Sequence, residues 1–338
     1  MAEPFMQTSQ SNTMPTVSVV IPSYKTAHLI ADCLESVFAQ TYKDFEVMVV
    51  NDGSPDTPEL EQVLKPYAGR IIYIKQENKR AAGARNTAIQ QARGEFLAFL
   101  DSDDTWTPDH LAGQMQLFAQ YPTLDLVYSN ALLVGDPERE REFMEQCPSY
   151  GQATFDALVV ERCQIPISTV VARKRAIVKA GMFDEKLLRC DDYDMWVRTA
   201  FHGAKIGYSR TVQARMAIGR PGSLSQERSK MVEAYWSILE KFKRTLPLSD
   251  ADRDVVDRRA AEIRVRYLVA KGKCKLDEHQ FDQARELFAE AKRSRIAPSL
   301  SLVLLGLRIA PNATSKLVSL WSRVLGGSVL SRFGGAST

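Results

Sequence analysis

Two stretches of the chain each crowd three aspartates into four residues: Asp101-Ser102-Asp103-Asp104 and Asp191-Asp192-Tyr193-Asp194. Ionised carboxylates this close repel one another unless a cation joins them. A hard divalent cation, Mg2+ or Mn2+, takes one or two of them and completes its octahedron with phosphate oxygens and water. The plainer reading of the first stretch is helix capping, with Asp104 or Thr105 as the cap and Pro108 in the first turn. In the second stretch one of Asp191 and Asp192 can cap a helix, which leaves the other as a general base. Asp194 then reads as a first-turn acid, and Met195, Trp196 and Val197 as core.

Other chemical devices are missing. After the first apolar run the chain reads Pro22-Ser23-Tyr24-Lys25, not G-x-G-x-x-G, and no G-x-x-x-x-G-K-[ST] occurs. Dinucleotide-binding and P-loop readings therefore have no support. The five cysteines are scattered and never spaced C-x-x-C, and the four histidines lie far from any paired pattern. Free thiols in a reducing compartment follow, and a zinc site does not.

The acids must be held by elements that the apolar periodicity reveals. Residues 17–21, 45–50, 71–74, 96–100 and 126–129 read as strands, with helical spacing between them. This alternation predicts a mostly parallel sheet covered on both faces. Ligands of such sheets gather at the carboxyl ends of the strands. Pro22-Ser23-Tyr24, Asn51-Asp52 and the acids from Asp101 to Asp104 all fall there. Residues 134–152 read as a variable loop. From Gln226 strand signals vanish, and residues 251–273 and 279–294 read as one tetratricopeptide-like helix hairpin. The expected organisation is a disordered tail over 1–15, a catalytic domain over 16–225 and a helical region over 226–338.

Six motifs in order then carry a resemblance: Val17 to Lys25 (VSVVIPSYK), Ser36 to Gln40, Phe45 to Ser54 (FEVMVVNDGS), Ala84-Arg85-Asn86, Phe99 to Asp104 (FLDSDD) and Asp191 to Arg198 (DDYDMWVR). Together they resemble family 2 glycosyltransferases over about two-thirds of the chain. The resemblance implies the GT-A fold, an α/β Rossmann-like mixed sheet, here with a C-terminal helical appendage. It also implies an enzyme that moves a sugar from a nucleotide sugar to an acceptor hydroxyl and inverts the anomeric centre.

Residue by residue, the resemblance puts Pro22 at the nucleotide sugar and Tyr24 against the nucleobase, and makes Asp52 the acceptor of the base's ring N–H. Asn51 departs from the commoner aspartate. Arg85 would lie near the nucleotide, Asp103 at ribose or metal, and Asp104 at the metal, with Asp101 in support. Asp192 matches the general base, Asp191 replaces the usual glutamate before it, and Trp196 sits in the helix behind. Arg220 occupies a position where the family often has histidine. It cannot bind metal, but its planar fork can grip a diphosphate. The implied cofactor is Mg2+ or Mn2+. The implied partners are a nucleotide sugar, UDP-linked by family frequency, and a glycan or lipid-linked acceptor in envelope polysaccharide synthesis. Two alternatives stay open: a non-catalytic nucleotide-sugar-binding scaffold, and a sugar nucleotidyltransferase, which usually carries a glycine-rich loop that residues 22–28 lack.

Bulk features bound the remaining classes. A net charge of +3 gives no reason to expect a nucleic-acid partner. That sum hides a split, because residues 1–225 hold 28 acids and 23 bases, while 226–338 hold 13 acids and 21 bases. No run reaches the ~18–20 apolar residues of a membrane span, and the polar N-terminus lacks a signal-peptide pattern. A cytoplasmic protein is expected. The basic helices (Lys271, Lys273, Lys275, Arg285, Lys292, Arg293, Arg295) read most plainly as a solvated face; with the apolar stretches 300–307 and 317–325, the alternative is peripheral contact with the inner face of the membrane.

Overall fold

The computed structural model describes residues 14–135, 140–219, 228–293 and 300–324. The chain divides into two compact units, Met1–Ser223 and Leu224–Thr338.

The first unit alternates strands and helices: β1 (Val17–Ser23), α1 (Ile30–Phe38), β2 (Phe45–Asp52), α2 (Thr57–Leu64), β3 (Ile72–Gln76), α3 (Arg80–Gln91), β4 (Phe96–Phe99), β5 (Thr105–Trp106), α4 (His110–Gln120) and β6 (Leu126–Val134). It continues with β7 (Arg141–Glu142), α5 (Phe143–Gln146), α6 (Phe155–Val159), β8 (Val171–Arg173), α7 (Lys174–Lys179), α8 (Asp191–Phe201) and β9 (Ile206–Ala217). Among the described residues the strands form one sheet in the order β3-β2-β1-β4-β8-β6-β9-β5, with β7 on β6.

The half built from β3, β2, β1 and β4 is parallel. The other half departs from the mostly parallel expectation. The three-residue β8 inserts antiparallel between β4 and β6, so the chain reverses at the sheet centre. Residues 134–152 are not one loop either. Asn130 binds Glu142 Oε2 and the Met144 N–H at 2.7 and 2.9 Å, which folds β7 and α5 back onto β6. Val17, Val19 and Ile21 pack with Ile30, Leu34 and Val37 of α1 and Leu60 and Leu64 of α2. Burial of these aliphatic faces, at about 1.5–3 kcal/mol per large side chain, holds the strand ends in place.

The second unit is helical among its described residues: α9 (Arg228–Thr245), α10 (Asp250–Asp277), α11 (Phe281–Arg293), α12 (Leu300–Ile309) and α13 (Pro311–Val324). Ser249 caps α10 by accepting from the Asp252 N–H at 3.2 Å. Gly272 lets α10 meet the Phe288 ring, because a Cβ there would lie 2.6 Å from Phe288 Cε1.

Beneath the D-x-D-D turn, His110 stacks on Trp106 with ring centroids 4.3 Å apart. It is fully buried, and neither ring nitrogen has a hydrogen-bond partner. Burial pulls its pKa from 6.5 down to about 3. The unfolded chain thus takes a proton in a range where the native chain refuses it, so acid favours unfolding. Lowering the pH from about 7 to 5 is expected to cost about 2 kcal/mol through this residue. His110→Phe keeps the stacked ring and should flatten that dependence. Urea unfolding of both proteins at the two pH values measures the difference.

Candidate active site

The register of the parallel half decides which residues share its edge. Ser23 pairs with Asn51, Pro22 with Val50, and Asp52 with Gln76. The Leu100 N–H binds the Val20 carbonyl at 3.1 Å, so Asp101 leaves the sheet beside the end of β1.

On the β2–β3 side, Asp52 is 2% exposed. Its Oδ1 accepts from Gln76 Nε2 at 2.7 Å and from the Lys79 N–H at 2.8 Å. Asp52 Oδ2 and Gln76 Oε1 are buried with no donor. Each such acceptor costs ~1–3 kcal/mol, which a ligand N–H would recover. Asn51 has become a brace: its Oδ1 accepts from the Ser54 N–H at 2.9 Å, and its Nδ2 donates to Thr57 Oγ1 and the Tyr73 hydroxyl at 2.9 and 2.8 Å. Gly53 follows at φ +63°, where a Cβ would lie 2.8 Å from the Asn78 nitrogen. Tyr24 is 44% exposed, with the Lys25 ammonium 5.3 Å from its ring centroid.

The Asp101, Asp103 and Asp104 carboxylates place oxygens within 4.8 Å of one another. Asp104 is buried; its Oδ2 accepts from Ser168 Oγ at 2.5 Å and its Oδ1 from the Ala217 N–H at 2.8 Å. Burial, then the charges of Asp103 and Asp101, push its pKa well above the usual carboxylate range. A divalent cation would relieve this crowding, and the all-oxygen donor set suits Mg2+ or Mn2+. The residues fit such an ion. The capping alternative fails: Thr105 and Trp106 form β5 against β9, and α4 begins only after Asp109.

Arg85 joins the two acidic stretches. Its Nη2 lies 2.6 Å from Asp101 Oδ1 and its Nη1 2.7 Å from Asp191 Oδ2, with the guanidinium almost fully buried. The next residue extends the tie: Asn86 Nδ2 donates to the Phe183 carbonyl and Glu185 Oε1 at 2.8 and 2.9 Å, and its Oδ1 accepts from the Phe183 N–H. Neither Asp191 nor Asp192 caps α8. Its N-cap is Cys190, at φ +57°, without a side-chain cap bond. Asp192 Oδ1 accepts from the Tyr193 N–H at 2.8 Å. Burial, then Asp191, push the Asp192 pKa up to about 6. Trp196 is buried edge-on to Phe99 and Phe183 at 5.8 and 5.9 Å. Asp194 is fully buried and holds Arg198 at 2.7 Å, so it locks α8 internally instead of serving as a surface first-turn acid.

Three contributors escaped the sequence reading. Gln76 and the Lys79 N–H hold Asp52. Ser168, in the turn Ile167–Thr169, accepts from the Asp101 N–H at 3.1 Å while donating to Asp104. No local signal marks it beyond a polar residue inside an apolar run. Arg220 lies outside the described residues.

The family described as Glycosyl transferase family 2 matches residues 18–176. The chain is 32% identical over 182 residues to the UDP-Glc:alpha-D-GlcNAc-diphosphoundecaprenol beta-1,3-glucosyltransferase WfgD of Escherichia coli, covering 54% of this chain and 68% of that protein. Across uncharacterized glycosyltransferases of Rickettsia, the matched region spans from 31% to 72% of the relative's length. Among solved structures, S. aureus TarS in complex with UDP-GlcNAc superposes with a TM-score of 0.59 at 18% identity, over 91% of each chain. The mannosyltransferase PcManGT from Pyrobaculum calidifontis, in complex with GDP-Man and Mn2+, gives 0.58 at 19% identity, over 92% of this chain and 88% of that one. These likenesses make the mixed sheet one of GT-A type.

Replacing Arg85 tests the tie between the acidic stretches. Arg85→Ala strands Asp101 and Asp191 without a counter-charge and should destabilise the protein by about 3–5 kcal/mol in urea unfolding. Arg85→Lys supplies a charge without a fork and should recover only part of the loss.

Proposed function

The chain belongs to glycosyltransferase family 2, and on that premise we propose that it transfers a sugar from a UDP-sugar to a hydroxyl of a lipid-linked or glycan acceptor, inverting the anomeric carbon. One observation carries the reading. A buried Arg85 ties the acids after β4, which suit a diphosphate–metal site, to the acids opening α8, which suit a base. A scaffold or pure binding protein has no need of a carboxylate with a raised pKa beside such a site.

The nucleobase is read by hydrogen bonding. Asp52 Oδ2 is the buried acceptor left open for it. Uracil, thymine and guanine present a ring N–H there; adenine and cytosine present a lone pair, which a carboxylate repels. Relatives that use UDP-Glc and UDP-GlcNAc favour uracil within that set. Tyr24 supplies a ring on which the base can stack. The ribose and diphosphate then run toward Asp103.

An acceptor hydroxyl is a weak nucleophile near neutrality, so its proton must leave as the bond forms. Asp192 takes it. Its carboxyl, raised to about 6, is ionised at neutral pH yet basic enough to accept a proton. Arg85 occupies Asp191 Oδ2 at 2.7 Å, which leaves Asp192 as the acid placed to take the proton. Asp103 and Asp104 would hold Mg2+ or Mn2+, which would supply positive charge to the leaving diphosphate. The WfgD acceptor is a sugar on diphosphoundecaprenol, which favours a lipid-linked acceptor here as well.

The decisive measurement is nucleoside diphosphate release from a panel of donors, with and without EDTA. UDP-sugars should be consumed, ADP- and CDP-sugars should not, and EDTA should abolish turnover. Release that is insensitive to the base would refute the Asp52 assignment. Asp192→Asn should keep donor affinity and lower kcat by about 10²–10⁴-fold. In the native enzyme kcat/KM should fall as pH drops through about 6, because the base is then protonated. A pH profile flat across that range would remove Asp192 from the role.

A further inference from the structure

The outward face of α12 is apolar where a surface helix should be polar. Its core side (Leu300, Val303, Leu304, Leu307) packs with Phe288 and neighbours on α10 and α11. The opposite side carries Leu302, Leu305 and Ile309, exposed at 74%, 54% and 74%, and Leu317 of α13 is exposed at 59%. These are four of the five exposed leucine and isoleucine side chains among the described residues. A helix apolar on all sides is normally enclosed by protein or lipid.

Charge narrows what encloses it. The last acidic residue of this sequence is Glu290. From Ala291 to Thr338 there are seven bases (Lys292, Arg293, Arg295, Arg308, Lys316, Arg323, Arg332) and no acid. Several cations of α10 and α11 are spent locally: Lys275 pairs with Glu278 at 2.7 Å, Arg264 with Glu290 at 2.7 Å and Arg285 with Asp282 at 3.0 Å. α12 and α13 contain no acid that could neutralise Arg308 or Lys316, both exposed. A second copy of this face would bring like charges together. An anionic phospholipid surface offers acyl chains to the leucines and phosphates to the cations.

We propose that α12 and α13 form a docking surface for an anionic bilayer, with Leu302, Leu305 and Ile309 entering the headgroup boundary and Arg308 and Lys316 contacting phosphates. No described helix is long and apolar enough to cross a membrane, so the contact is peripheral. Its use rests on the reading of a lipid-linked acceptor, but the contact itself can be measured without donor or acceptor.

Flotation of the full chain with vesicles of phosphatidylcholine alone, or mixed with phosphatidylglycerol, tests this directly. Binding to the anionic vesicles should exceed binding to the neutral ones by about tenfold or more and weaken with salt. Joint Leu302→Glu, Leu305→Glu and Ile309→Glu substitution alters only exposed positions. It should abolish flotation while donor hydrolysis stays at the native rate. Joint Arg308→Glu and Lys316→Glu substitution should remove the preference for anionic lipid. Absence of flotation by the native chain overturns the proposal, as does equal flotation by the leucine variant. A concentration-dependent dimer lost in that variant, without flotation, overturns it in favour of a second copy. Failure of transfer with flotation intact would count against the catalytic reading alone.

Discussion

A single guanidinium holds the catalytic unit in its working form. Four aspartates, Asp101, Asp103, Asp104 and Asp191, crowd one edge of the sheet, and Asp192 stands next in the chain. Left to themselves they would protonate or push apart. Arg85 offsets the repulsion for the two that it touches, because its planar fork meets two carboxylates from separate elements at once. Burying an arginine is costly, and the cost is offset only when both arms are satisfied. The tie is therefore strict: β4 and α8 must stand where the fork reaches them. The distance between the acids after β4 and the acids opening α8 is set by the span of one side chain.

The rest of the first unit serves that span. α3, packed against β1 and β2, presents Arg85, and Asn86 secures the loop before α8 through three hydrogen bonds. Ser168 grips the other end by joining the Asp101 backbone to the Asp104 carboxylate. That grip depends on the antiparallel β8, which brings the turn Ile167–Thr169 beside the end of β4. The reversal at the sheet centre is thus part of the site. A fully parallel continuation would have put a crossover helix where Ser168 stands.

Where the sequence could be read, local physics was enough. Alternating apolar runs mark β1, β2 and β4, and the turn residues after them mark the edge at which Asp52 and Asp101 emerge. What escaped it was long-range. Ser168 meets Asp104 across 64 residues and Ala217 meets it across 113, and no periodicity reports such pairings. The same gap explains the reading of Asp104 as a helix cap. Its acid type and position fit a cap, but partners from two distant segments had already claimed both oxygens. Arg85 was placed near the nucleotide by resemblance alone, and its pairing with Asp101 and Asp191, 16 and 106 residues away, is again a contact that no local pattern reports. Residues 134–152 looked like a loop because β7 and α5 are too short to show a period, and partners outside the segment, such as Asn130, organise them.

The near-neutral total of the chain conceals two different electrostatic designs. In the catalytic unit the excess acid is concentrated, buried and partly cancelled by an internal cation, which is what a site for a cation and a proton acceptor requires. In the helical unit the excess base is almost wholly the acid-free run after Glu290, which supplies seven of its 21 basic residues and none of its 13 acids. An evenly solvated surface would mix both signs along each helix, as α10 and α11 do with their local ion pairs. Segregating charge into a segment that also turns its leucines outward makes sense only against a surface that is both anionic and apolar. A phospholipid headgroup layer has both properties, whereas a folded protein partner would have to combine acidic groups with a matching apolar groove.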